Sequence, residues 1–286
     1  MTTLALASTG CSLIQGPGMS PKHALHPSAK EETEIEIRWL AETPNVGAVP
    51  DDAILRVVGP TMTCTGTLIA DDLVLTAHHC LVERGAHGEF EKKLVAPSTL
   101  NVEIGGDYFA WTEVGVRHIV APPCGEGGGS GDIAVLVLQR KLVGMEKMTP
   151  RLEAPPKLGE EAVSMGFGRC ALSGDAIRRK TREGGPIRAM QPETISLDAA
   201  ICPGDSGGPV FAKGTREVIG VVSLSAMDHD ERTRGASVMA RIDAYRSVFS
   251  NAHAIADGAS PQELPPLECN TGATTIARPR GSAQKP

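Results

Sequence analysis

The sequence predicts an all-β protein of sandwich or barrel type with a single C-terminal helix, and three observations carry that expectation. Short runs of β-branched and aliphatic residues recur along the chain, Gly, Pro and Asp punctuate them, and one late segment alone has helical spacing. The first series of runs lies at 54–58, 66–69, 73–76, 102–104, 114–120 and 133–138. A second series follows at 162–166, 194–197, 209–211, 218–224 and 236–242. Each is long enough for a strand and too short for an ordinary helix. Near the end, Tyr245, Val248, Phe249 and Ala252 fall at i, i+3, i+4 and i+7, which puts their apolar side chains on one helical face.

The 286 residues, 41% of them hydrophobic, suffice for one large domain or two packed lobes. The expected organisation is a leader and pro-segment over 1–50, a globular domain over 51–255 and a Pro-rich tail over 256–286. The leader is rich in Pro, Ser, Thr and charge and can bury little apolar surface. A formal net charge of −6 offers no basic footprint for a phosphate backbone, which argues against nucleic acid as a partner. Arg178, Arg179, Lys180 and Arg182 form a basic cluster that reads as a solvated loop. No stretch approaches the ~20 apolar residues that cross a bilayer.

Seven cysteines suit an oxidising compartment provided they pair. Cys64 and Cys80 flank a histidine motif, Cys170 and Cys202 are candidates for a bridge near a serine motif, and Cys124 and Cys269 remain as a third pair. Cys11 is the odd one out. Residues 4–12, Leu-Ala-Leu-Ala-Ser-Thr-Gly-Cys-Ser, resemble the end of a bacterial lipoprotein signal, which implies lipidation at Cys11 and anchoring to a membrane. The other reading of that segment is a structureless N-terminus with an incidental cysteine. A secreted or cell-envelope location is expected. Neither C-x-x-C nor the Cys/His spacing of zinc sites occurs, so no metal or other cofactor is expected.

The chemistry concentrates in three segments. In Gly204-Asp205-Ser206-Gly207-Gly208-Pro209, the glycines allow a tight turn that exposes a serine hydroxyl and aims backbone N–H groups at a developing oxyanion. Serine is a weak nucleophile without a neighbouring base, and Thr76-Ala77-His78-His79-Cys80 supplies a histidine with a suitable pKa. Asp132 heads the apolar run Ile133-Ala134-Val135-Leu136, where a buried carboxylate needs a partner such as an imidazole N–H.

These segments, with Cys64-Thr65-Gly66-Thr67-Leu68-Ile69 and Gly166-Phe167-Gly168, resemble the successive signatures of the chymotrypsin/trypsin family, in that family's order of His, Asp, Ser. The resemblance spans roughly residues 53–255 and implies two six-stranded antiparallel Greek-key barrels with the active site between them. It implies a catalytic triad of His79, Asp132 and Ser206, and oxyanion-hole N–H groups from Gly204 and Ser206. His79 aligns with the catalytic histidine, and His78 replaces a usual alanine. The separation of Cys64 and Cys80 is the one the family uses to staple the loop of the base. Ser223-Leu224-Ser225 corresponds to the segment that pairs with substrate backbone. Ala200, six residues before the serine, corresponds to the floor of the primary pocket, and Ile201, Ser225 and Ser237 leave its lining mostly neutral. The implied reaction is hydrolysis of peptide bonds after small or medium uncharged residues, by a monomer acting on peptide or protein substrates. Asp198, Asp228 or Asp230 would reach the pocket only by a loop rearrangement.

The chain also departs from the family. The interval from Asp132 to Ser206 is short, so loops around the second barrel are trimmed, and the usual downstream partner of Cys202 is missing, which leaves Cys170 in its place. Asp205 raises the question of activation. In the family its counter-charge is a new α-amino group, made by cutting a pro-segment before an Ile-Val-Gly-Gly-like sequence. Asn45-Val46-Gly47-Ala48 is the closest match and the preferred mature start, although Pro44 precedes it. Cleavage after Arg38, or an uncut chain in which an internal Lys or Arg pairs with Asp205, are the alternatives.

Two rival functions are weighed. Residues 204–208 also fit the G-x-S-x-G pattern of α/β-hydrolase esterases, but that fold needs its histidine after the serine, and only His229 and His253 lie there. A protease-like binding protein that has lost its chemistry is the other rival, since fold alone does not establish activity.

Overall fold

The computed structural model describes residues 49–105, 110–169, 178–225 and 236–269. The first lobe contains β1 (Ile54–Val58), β2 (Thr63–Ala70), β3 (Leu73–Thr76), β4 (Val82–Arg84), β5 (Phe90–Leu94), β6 (Asn101–Ile104), β7 (Thr112–Val120) and β8 (Ala134–Leu138). A closed barrel runs β1-β2-β3-β8-β7-β6, and β1 completes it by pairing antiparallel with both β2 and β6. β4 and β5 form a separate hairpin after the histidine motif.

The second lobe contains β9 (Thr149–Pro150), β10 (Glu161–Gly166), β11 (Lys180–Pro186), β12 (Ala189–Met190), β13 (Thr194–Asp198), β14 (Pro209–Ala212), β15 (Glu217–Leu224) and β16 (Ala236–Arg241). Its ladder runs β11-β10-β14-β15-β16-β13-β12, with β9 parallel to β15. The architecture is the two-barrel one that the resemblance implies. Among the described residues no helix alternates with the strands and the remaining pairings are antiparallel, which removes the α/β-hydrolase reading.

The continuous apolar run of β8 has a physical reason. All of Ala134–Leu138 is buried, because the barrel interior takes one face and α1 (Arg246–Ala256) packs against the strand as well. Tyr245, Val248, Phe249, Ala252 and Ile255 join the first lobe's core, so the late helical pattern serves the barrel formed earliest in the chain. A separate core around Ile187, Ile195, Leu197, Val210, Ile219, Val222 and Met239 holds the second lobe. Among the described residues no helix is long and apolar enough to cross a membrane.

Two expectations need correcting. The basic run at 178–182 is not a solvated loop: Lys180 opens β11, Arg179 pairs with the buried Asp52 at 2.9 Å, and Arg182 is buried. Arg179 and Arg182 are accommodated there because each meets a carboxylate, Asp52 and Asp205, that would otherwise be buried alone. The segment after α1 is also held in place as far as Cys269. Leu264 and Leu267 pack on the first lobe's core, Asn251 Nδ2 donates to the Pro265 carbonyl at 2.9 Å, and Cys269 is bonded to Cys124.

Candidate active site

Asp132 lies at the entrance to β8 with no exposed surface, so its carboxylate must be satisfied within the protein. It accepts three hydrogen bonds. His79 N donates to Oδ1 at 2.9 Å, His79 Nδ1 to Oδ2 at 2.7 Å, and Ser223 Oγ to Oδ2 at 2.5 Å. With Nδ1–H donated to Asp132, the tautomer leaves His79 Nε2 as the acceptor nitrogen. Ser223 Oγ in turn accepts from Gly129 N at 2.7 Å, which links the glycine-rich loop before Asp132 to β15.

His79 sits in the 3-10 turn His78–Leu81, and the Cys64–Cys80 disulfide ties that turn to β2. Phe90 of β5 meets the His79 ring edge-on with centroids 5.5 Å apart. Ligand atoms of His79, Cys64 and Cys80 lie within 4.8 Å of one another, but the two sulfurs are bonded together and offer no thiolate to a metal. His78 turns away and contacts the Cys124 carbonyl through Nδ1 at 2.7 Å, so that nitrogen carries the proton and donates it. Burial holds the pKa of His78 below its ordinary 6.5, against the raising effects of the Cys124 carbonyl, Asp132 and Glu126, while His79 lowers it further.

The loop 202–208 is bent through left-handed backbone at Gly204 (φ 101°) and Gly207 (φ 82°). A Cβ on Gly207 would fall 2.2 Å from Thr76 Oγ1 and 2.3 Å from the Thr65 carbonyl, so both conformation and space require glycine there. The N–H groups of Asp205, Gly207 and Gly208 donate to Cys202, Val222 and Asp205 carbonyls. Those of Gly204 and Ser206 have no acceptor among the described residues. Ser206 is part-exposed, its carbonyl accepts from Thr65 N at 2.8 Å, and no hydrogen bond joins it to His79 among the described residues.

Beneath the serine, Asp205 is fully buried. Gly168 N donates to its Oδ1 at 2.8 Å and Cys202 N to its Oδ2 at 2.9 Å. Arg182 of β11 supplies the counter-charge: Nη2 donates to Oδ1 at 3.1 Å, and Nε lies 2.7 Å from Oδ2, off the line of a good hydrogen bond. Arg182 Nη2 also reaches the Gly168 carbonyl at 2.5 Å. A Cβ at Gly166 or Gly168 would come within 2.4 Å of the Asp205 carboxylate, which explains the two glycines around Phe167.

The residues expected to contact substrate are arranged unevenly. Ser223 is buried against Asp132, whereas Leu224 of β15 is 41% exposed. Ser237 Oγ donates to the Ala199 carbonyl at 3.0 Å and lies 3.3 Å from Ser225 Oγ. Ile201 is buried and Ala200 is exposed. The Asp198 carboxylate is at the surface beside Arg188 Nε at 3.3 Å. Asp228, Asp230, Cys11, Cys170, His229, Arg38 and the 45–48 segment lie outside the described residues. Cys202 is disulfide-bonded, and Cys124 and Cys269 form the bridge left as the third pair. Two residues escaped the sequence reading. Thr65 lies within the Cys64–Ile69 segment with no signal of its own, and Arg182 reads as one of a run of basic residues, although a buried Asp205 demands a cation.

Comparison with known proteins agrees with this fold. The family model Trypsin matches residues 41–249. Serine protease SP24D of Anopheles gambiae is 30% identical over 191 residues, 60% of this chain and 65% of that protein. An uncharacterized peptidase of Corynebacterium glutamicum is 26% identical over 198 residues, 65% of this chain and 63% of that protein. The match therefore covers less than two thirds of each relative's length. Among solved structures, mouse neuropsin superposes with a TM-score of 0.55 at 17% identity, over 72% of this chain and 97% of neuropsin. A scabies mite inactivated protease paralogue gives 0.52 at 17% identity, over 71% and 94%. Disulfides and a trypsin-like domain together suggest an extracellular or secreted protein. From residue 41 to residue 249, the chain belongs to the trypsin-like serine protease family.

Proposed function

We propose that the chain is an endopeptidase that cuts peptide bonds through His79, Asp132 and Ser206. The observation that carries this reading is the buried Asp132 holding His79 through two hydrogen bonds, beside a serine loop whose Gly204 and Ser206 N–H groups remain unused. His79 Nε2 takes the Ser206 proton as Oγ attacks the peptide carbonyl, and the resulting oxyanion meets the N–H groups of Gly204 and Ser206. The imidazolium then protonates the leaving amine, and water, activated by the same nitrogen, hydrolyses the acyl-enzyme. Asp132 keeps the tautomer and stabilises the imidazolium throughout. Uncharged small or medium residues precede the cleaved bond in this proposal, because the neutral lining of Ile201, Ser225 and Ser237 offers a buried cation no counter-charge.

A second reading, a non-catalytic binding protein on the same fold, is favoured by one observation: the Ser206 hydroxyl is not hydrogen-bonded to His79. Such bonds are often loose without substrate, and an inactivated paralogue among the similar folds shows why the distinction matters. Labelling with a fluorophosphonate decides between them. Labelling of the wild type, abolished in Ser206→Ala with an unchanged melting temperature, is the expected result. A wild type that neither labels nor cleaves peptides would establish the binding-protein reading.

A further inference from the structure

We infer that Arg182 is a positioning residue that keeps the 202–208 loop in its working shape without cleavage of the chain ahead of the first barrel; this rests on the peptidase reading. A carboxylate offers about four acceptor positions, two on each oxygen. In Asp205 three are taken by hydrogen bonds, from Gly168 N and Arg182 Nη2 on Oδ1 and from Cys202 N on Oδ2, and Arg182 Nε stands 2.7 Å from Oδ2 as an ion pair. One guanidinium balances one carboxylate. An additional ammonium group entering this fully buried site would add an uncompensated charge.

The cation is also held by the sheet of the second lobe. Arg182 stands opposite Ser164 in the ladder between β10 and β11, which brings its guanidinium under the loop. Through Gly168 and Cys202, the pair fixes both flanks of Asp205, the residue between the unused N–H groups of Gly204 and Ser206. The sequence offered three routes to a counter-charge for Asp205, and this geometry selects the internal one. The competent loop is thereby a property of the uncut chain.

The test uses the full chain with its N-terminus verified by intact mass. Amide hydrogen exchange should show the 202–208 loop protected in the uncut wild type, and fluorophosphonate should label that same species. Arg182→Gln should lose protection there and lose about 10²–10³-fold in kcat, the range for a missing oxyanion donor. Arg182→Lys should restore at least tenfold of that loss, a rescue that a merely space-filling role would not produce. It also keeps the test open if Arg182→Gln fails to fold. A loop that exchanges freely in the uncut chain and becomes protected and reactive only after N-terminal cleavage would overturn the inference. A protected loop in a protein that no form labels would instead sink the peptidase reading and leave the role of Arg182 standing.

Discussion

Thr65 Oγ1 donates to the Gly204 carbonyl at 2.7 Å, joining β2 of the first lobe to the serine loop of the second across 139 positions of sequence. The same oxygen accepts from Phe167 N at 3.0 Å, and the Thr65 backbone N–H donates to the Ser206 carbonyl. One buried residue therefore fixes the serine loop from both sides of Asp205. Thr65→Val keeps the shape and removes the oxygen, leaving a buried donor and acceptor unpaired at a cost of about 1–3 kcal/mol. Melting temperature and kcat should both fall, while Thr65→Ser, which keeps the oxygen, stays near wild type in both. Equal losses in the two variants would show that the methyl packing matters and the hydroxyl does not.

Replacing Asp132 by Asn tests the tautomer argument. The buried carboxylate accepts the Nδ1 proton of His79, and an amide in the same place can turn its N–H toward Nδ1 and move the imidazole proton to Nε2, where it cannot act as a base. The expected loss in kcat is about 10⁴, as in the serine-protease triad studied by that exchange. Stopped-flow release of an acyl leaving group measures it. A loss under tenfold would remove Asp132 from the mechanism.

His78 gives the protein an acid-side weakness. Its folded-state pKa is held below the ordinary 6.5 mainly by burial, so the unfolded chain binds a proton that the folded chain refuses. Its contribution to stability is complete above about pH 6.5 and declines as pH falls toward the depressed folded value. His78→Asn preserves a donor toward the Cys124 carbonyl and does not titrate. Urea unfolding between pH 7.5 and about 5 should therefore show a shallower loss of stability in the variant than in the wild type. Parallel curves would assign the acid sensitivity to another group.

Specificity follows from the absence of a charge at the positions expected to line the pocket. Ile201 is apolar, the Ser225 and Ser237 hydroxyls face each other, and Asp198 is engaged by Arg188 at the surface. In matched peptides, kcat/KM after Ala, Val or Leu should exceed that after Arg by about tenfold or more, as expected where a buried cation would lack a partner. Faster cleavage after Arg would bring Asp228 or Asp230 into the pocket.

Much of the fold was legible because its signals are local. Short β-branched or aliphatic runs between turn residues located eleven of the sixteen described strands, missing β4, β5, β9, β11 and β12, and the i, i+3, i+4, i+7 pattern ending at Ala252 located α1 within a turn of its observed start at Arg246. The Cys64–Cys80 bridge is the one that the family resemblance implies. β11 escaped because Lys-Thr-Arg-Glu-Gly-Gly-Pro has neither hydrophobic alternation nor β-branched enrichment; only the ladder with β10 makes it a strand.

By itself, the sequence determined the order of His79, Asp132 and Ser206, the glycines that let the serine loop bend, and the need of a buried Asp205 for a cation. Tertiary structure alone decided which cation meets it. The sequence holds 28 Lys and Arg side chains; distance and burial separate Arg182 from the rest, because a charge pair is chosen by strand register and exclusion of water rather than by neighbours along the chain.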